Sequence, residues 1–199
     1  MAGRRWVNKP DEAGLLVRHP EEKFGRQDVL SVPVGHEAAL VRDGMISVYR
    51  AGDEPELGSG LFRKPGVLYF VDMQPTDALP WGMGGIACEG RNCGMHGTLR
   101  LRVSSSRKFL NAHMGDALPL TAQRMFEGVL ESFLGAMRAA LAEATRQTPL
   151  PELVRRPSAV VDVAMALLEE RLEEFGLAPE ALFIEEIFVA GADEQEDEQ

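Results

Sequence analysis

Cys88 and Cys93, spaced C-x4-C with His96 three residues on, come closest to a reactive set in this chain. Two thiolates and an imidazole are zinc ligands, but zinc takes four donors and only three are local. Across a short loop the same thiols can form a reversible disulfide. A third reading makes them two small residues beside a β-hairpin turn. The other histidines, His19, His36 and His113, are scattered, and no nucleophile–base pair emerges from their spacing. Ser104, Ser105 and Ser106 lack the G-x-S-x-G elbow and suit helix capping. Gly82-Met-Gly84-Gly85 and Gly58-Ser-Gly60 match neither a dinucleotide fingerprint nor a phosphate loop and read as turns. No catalytic residue and no cofactor site is therefore assigned. Cys88, Cys93 and His96 stand as metal or redox candidates.

A second cluster is basic. Arg100, Arg102, Arg107 and Lys108 gather where an alternating strand meets a helix. Such an edge can take anionic lipid headgroups or an acidic partner. It can equally protect an edge strand from aggregation. The overall charge is −10, from 21 Lys+Arg and 31 Asp+Glu, which excludes a broadly basic nucleic-acid binder. The acidity is local. Residues 169–199 carry twelve acids and one base, Arg171, hence −11, while residues 1–168 carry 19 acids and 20 bases, hence +1.

The elements that position these residues follow from hydropathy pattern. Leu15–Arg18, Val29–Val32, His36–Arg42 and Met45–Tyr49 read as strands. Asp43-Gly44 between the last two marks a type I′ hairpin turn. The continuous apolar run Val67–Val71 predicts a strand buried on both faces. Residues 51–60 and 74–85, rich in Gly and Pro, read as loops. Gly97–Val103 alternates, with Leu99, Leu101 and Val103 inward and Arg100 and Arg102 outward.

The period then changes. Ser105 or Ser106 caps a short helix holding Phe109 and Leu110. Thr121 caps a long one over 122–146, with apolar residues at helical spacing from Met125 to Ala144. Pro149 and Pro151 stop it. Ser158 is placed to cap a helix over 159–175, ended by Gly176 in a left-handed cap. Leu182–Val189 is the last strand. Many strands, then helices, then one strand give an α+β fold with one mainly antiparallel sheet to which the last strand returns. Residues 1–13 read as a lead-in, 14–190 as a single domain and 191–199 as an acidic disordered tail.

No apolar stretch reaches the length of about 20 residues that spans a bilayer. The N-terminal residues lack the apolar core of a secretory signal, and two cysteines do not make a disulfide framework. The expectation is a cytoplasmic protein with reduced thiols.

Four segments in order carry a family resemblance. They are Leu16–Pro20 followed by Val29–Gly44; Val71–Gln74 with Pro80-Trp81-Gly82; Gly97–Val103 followed by Arg107–Leu110; and Phe175-Gly176-Leu177 followed by Leu182–Ile187. Together they resemble the SPFH (band-7) family of stomatin, prohibitin and flotillin relatives, in particular its soluble bacterial, virion-core-like branch. The resemblance implies a curved antiparallel sheet flanked by helices. It also implies a non-enzymatic scaffold or adaptor that self-associates and organises membrane-linked protein complexes. Protein partners are expected, with no nucleic acid. The membrane hairpin or acyl anchor, the long coiled coil and the zinc-ribbon cysteines of many relatives are not found in the sequence. Recruitment to the inner face of the membrane by a partner is therefore expected, with peripheral contact at most. The alternative is a small metal- or redox-active protein using Cys88, Cys93 and His96.

Overall fold

Residues 5–6, 14–19, 24–25, 27–57 and 65–189 are described by a computed structural model of the chain. The N-terminal lead-in, Arg5 and Trp6 apart, and the acidic tail lie outside the described residues. These residues form β-strands β1 (Arg5–Trp6), β2 (Leu16–Arg18), β3 (Val29–Leu30), β4 (His36–Arg42), β5 (Met45–Arg50), β6 (Val67–Asp72), β7 (Leu79–Cys88), β8 (Arg91–Val103) and β9 (Leu177–Val189). The helices are α1 (Ser106–His113), α2 (Ala122–Gln147), α3 (Leu150–Arg155) and α4 (Ser158–Leu172), the last continued by a 3-10 turn. The fold is mixed α+β. No helix among the described residues is long and apolar enough to cross a membrane.

The chain divides into two compact units, each made from two stretches. The first comprises residues 1–75 and 102–125. Its four-stranded sheet has the order β2-β6-β4-β5, antiparallel throughout. Asp43 and Gly44 both take positive φ, 52° and 75°, as a type I′ turn requires, so β4 and β5 close as the sequence predicts. Central β6 buries Leu68, Tyr69, Phe70 and Val71 in succession, because both sheet faces are covered. On one face Ala38 pairs with Phe70 and Leu40 with Leu68, and all four join Phe24, Leu30, Val32 and Leu57 in a core. On the other, α1 packs on β4 and β5. Ser105 caps α1 by accepting from the Lys108 N–H at 3.4 Å. Buried Ser106 donates its hydroxyl to Glu37 on β4 at 2.6 Å, tying helix to sheet. The predicted strand at 29–32 is shorter, and β3 pairs in parallel with β1.

The second unit comprises residues 76–101 and 126–199. Its sheet has the order β7-β8-β9. The single sheet expected from the sequence is thus divided into a four-stranded and a three-stranded sheet, beside the small β1–β3 pair, because hydropathy alternation defines a strand's buried face and not its partner. Strand β7 corrects the loop expected at 74–85. Leu79, Trp81, Met83, Ile86 and Cys88 are buried while Pro80, Gly82, Gly84, Gly85 and Ala87 are exposed. Pro80 is tolerated because β7 is an edge strand. Gly85, at φ 72°, sits in the register shift between Met83 and Ile86, where a bulge needs an extra residue.

Helix α2 buries Phe126, Val129, Phe133, Met137, Ala140 and Leu141, the predicted stripe. Phe133 meets Trp81 edge-on at 5.2 Å and Phe126 at 5.3 Å. Helix α4 buries Val160, Ala164, Leu168 and Leu172 and packs on β9. It begins at Ser158 with Pro157 in the cap position, so the expected Ser158 cap bond is not made. Gly176 takes φ 72° as predicted, and β9 starts at once, five residues earlier than the sequence suggests.

Candidate functional site

The cysteine–histidine set is split by strand parity. Glu89 and Gly90, at φ 48° and 76°, form the tight turn between β7 and β8. Cys88 lies opposite Arg91 and Cys93 opposite Ile86, so the two cysteines are diagonal neighbours. Both are free and buried. His96 is an odd number of residues from Cys93, and successive side chains in a strand point to opposite faces. Its ring instead lies between two carboxylates, with Nδ1 3.3 Å from Glu185 and Nε2 3.3 Å from Glu186. The structure thus brings the cysteines together and leaves His96 on the other face. Among the described residues no three His, Cys, Asp or Glu side chains are grouped to hold a metal.

Burial, then the neighbouring Cys93 with which it hydrogen-bonds, and then Glu89 push the Cys88 thiol from 9.0 up to about 11. The neutral thiol is the poor form for nucleophilic attack or metal ligation. Maleimide labelling of Cys88 at pH 7–8 is therefore expected to be slow in the folded protein and fast in urea. Equal rates, measured by mass spectrometry on a Cys93→Ser background, would contradict this. The sign for stability follows from the same shift. The unfolded chain loses the proton first, so this contribution is present below pH 9.0 and is lost as the pH rises towards 11.

The basic residues fall in both units. Arg100 belongs to the second unit, where its Nε donates to the Thr76 carbonyl at 2.9 Å. Thr76 is itself held by Leu101, which donates to its hydroxyl at 3.1 Å. Arg102, Arg107 and Lys108 are exposed in the first unit. Arg107 donates to the Ile46 carbonyl at 3.0 Å and so stands on β5, the edge of its sheet.

Two features went unread in the sequence. One is a cleft of about 440 Å³ in the first unit, lined by Val17, Tyr69, Met114 and Leu118, with Arg18 and Asp116 as its charged members. Behind it, buried His113 places Nδ1 2.6 Å from Asp116 and meets the Phe109 ring in a tilted contact at 4.7 Å. The carboxylate selects the tautomer with the proton on Nδ1. His113 Nε2 is buried without a partner. The readable signal was the i, i+3 His–Asp spacing at a helix end.

The other is the outer face of the second sheet. Phe183 is 62% exposed and Phe188 40%. Along β9 alternation slips twice, at Glu180 and Ala181 and again at Glu185 and Glu186, and the second slip leaves both glutamates exposed between buried Ile184 and Ile187. Gly82 and Gly84 are exposed on β7, and Phe188 lies so close over Gly94 of β8 that a Cβ there would fall 2.2 Å from its ring.

No family model matches the chain, and no curated protein matches it. What this surface can do is set by its own chemistry: two aromatic rings, two carboxylates and an open strand edge. These are the parts of a peptide- or protein-binding face.

Proposed function

We propose that the chain is a non-enzymatic scaffold or adaptor that binds other proteins and self-associates, in line with its SPFH-like sequence pattern. The supporting observation is that each larger sheet ends in a strand that displays big apolar side chains to solvent. In the first unit that strand is β5, with Met45 71% exposed; in the second it is β9, with Phe183. Among the described residues no strand pairs with the outer edge of either. An edge strand offers a row of backbone donors and acceptors to another chain, and exposed apolar side chains add burial when it docks. Two such edges on one chain suit a connector. A raised thiol pKa and a histidine on the wrong face weigh against the metal or redox alternative.

The β5 edge suits self-association. It carries no acidic residue, and its exposed Met45 sits beside the hairpin turn. Recruitment to a membrane-linked complex belongs to the same proposal, with Arg102, Arg107 and Lys108 as the cationic contacts. Sedimentation velocity across a concentration series tests it. The weight-average mass is expected to rise above the 21.8 kDa of one chain, and Met45→Lys, which puts a charge on the edge, is expected to return it to that value. A strictly monomeric mass at every concentration, with no protein recovered on an immobilised sample, would defeat the proposal.

A further inference from the structure

We infer that the free edge of β9 takes up an extended basic segment of a partner protein as an added strand. The inference rests on the reading of this chain as a binding protein and names the partner's chemistry at one of its edges. Strand β9 runs for 13 residues with β8 on one side and, among the described residues, no strand on the other. An incoming strand would gain backbone hydrogen bonds along that edge, and specificity would come from its alternate side chains. Those on the outer face would meet Phe183, Glu185, Glu186 and Phe188 in order. The two rings supply apolar contacts.

Charge decides the occupant. Strand β9 contains Glu180, Glu185 and Glu186 and no base, and the sequence just beyond it adds five acids over residues 193–198. A second copy pairing edge to edge would set carboxylates against carboxylates, and like charges on opposed strands destabilise a sheet. A partner strand with arginine or lysine opposite Glu185 and Glu186 gains charge-assisted hydrogen bonds instead. The second slip in alternation, which exposes both glutamates, blunts the edge against an identical strand and adds a second carboxylate for a basic one. His96 holds this carboxylate pair in place from β8.

The test is fluorescence anisotropy with a labelled peptide alternating arginine and valine. Two controls accompany it: the same peptide with aspartate for arginine, and one with proline at alternate positions, which cannot donate to the edge. The basic peptide is expected to bind, more weakly as salt rises. The acidic and proline peptides are expected to bind at least about tenfold more weakly, the cost of lost ion pairs or lost backbone bonds. Glu185→Lys with Glu186→Lys should reverse the charge preference, and Phe183→Ser should weaken the basic peptide without changing the melting temperature. Equal binding of all three peptides, or no response to the double lysine variant, overturns the inference. So does a change in oligomeric mass in the double lysine variant, which would give the edge to a second copy. Association that depends on Met45 but comes with no peptide binding would remove this inference and leave the scaffold reading standing. Peptide binding by a strictly monomeric chain would do the reverse for self-association.

Discussion

Gly97→Ala is expected to unfold the second unit, although it adds a single methyl group. A Cβ at residue 97 would lie 1.9 Å from the Phe183 carbonyl oxygen, 2.9 Å from its carbonyl carbon and 3.0 Å from Ile184 Cα. The obstacles are backbone, so no rotamer change relieves them, and β9 would have to leave β8. Overpacking of side chains typically costs about 1–3 kcal/mol; a backbone collision belongs at the upper end, about 3 kcal/mol or more. Gly84→Ala is the control, because nothing lies within 4 Å of a Cβ there and no unusual φ is needed. Chemical denaturation of both variants tests the contrast, and similar midpoints would show that β9 does not sit where it is described. The variant should also lose the β9 edge as a docking strand, since that edge exists only while β9 is paired.

Phe133→Ala is expected to cost about 3–5 kcal/mol, the range for removing a fully buried aromatic ring. Phe133 is 0% exposed and holds two edge-on aromatic contacts, to Trp81 on β7 and to Phe126 two helical turns back. Such pairs contribute about 0.5–1.5 kcal/mol beyond burial, so Phe133→Leu should recover most of the volume but not those contacts. The chain has two tryptophans, so on a Trp6→Phe background the fluorescence of Trp81 reports this core alone. Urea midpoints ordered wild type, Phe133→Leu, Phe133→Ala are expected; equal midpoints for the first two would show that the aromatic contacts carry no weight.

Where local chemistry decides structure, the elements are legible in the sequence. Asp43-Gly44 can only be a tight turn between two alternating runs, and β4 takes up the predicted residues His36–Arg42. The α2 stripe and the Gly176 cap are equally local, one set by helical period and the other by a left-handed backbone. Strand β7 was not legible, because Pro80, Gly82, Gly84 and Gly85 carry the composition of a loop while every one of them faces outward. The first half of β9 was hidden in the same way by Pro179. Division of the strands between two sheets depends on long-range pairing, which no short pattern encodes.

For the candidate site, the cysteines were visible and their chemistry was not. Strand parity alone separates Cys93 from His96, but the sequence places a strand only from Gly97, so the parity argument had nothing to act on. Phe183 reads as one more core residue inside the apolar run Leu182–Ile184. Its exposure follows from Leu182 and Ile184 both turning inward to the side where α4 packs. The basic cluster was likewise legible as four residues, but the hydrogen bond from Arg100 to the Thr76 carbonyl was not, because only the fold brings residue 76 to residue 100.

The construction of each unit from two separated stretches of chain has a consequence for synthesis. When residue 75 leaves the ribosome, the first sheet still lacks α1 and the Leu120 bridge to Leu16. The β7–β8 hairpin emerges next and waits, one side unpaired, until the chain has passed residue 177. No single cut yields two self-sufficient pieces, since every cut between the stretches separates at least one unit from one of its parts. The last strand to be made closes the second sheet and also displays Phe183. A chain not yet translated to Val189 therefore has no complete β9 edge to offer, and the proposed partner capture would wait until β9 is made.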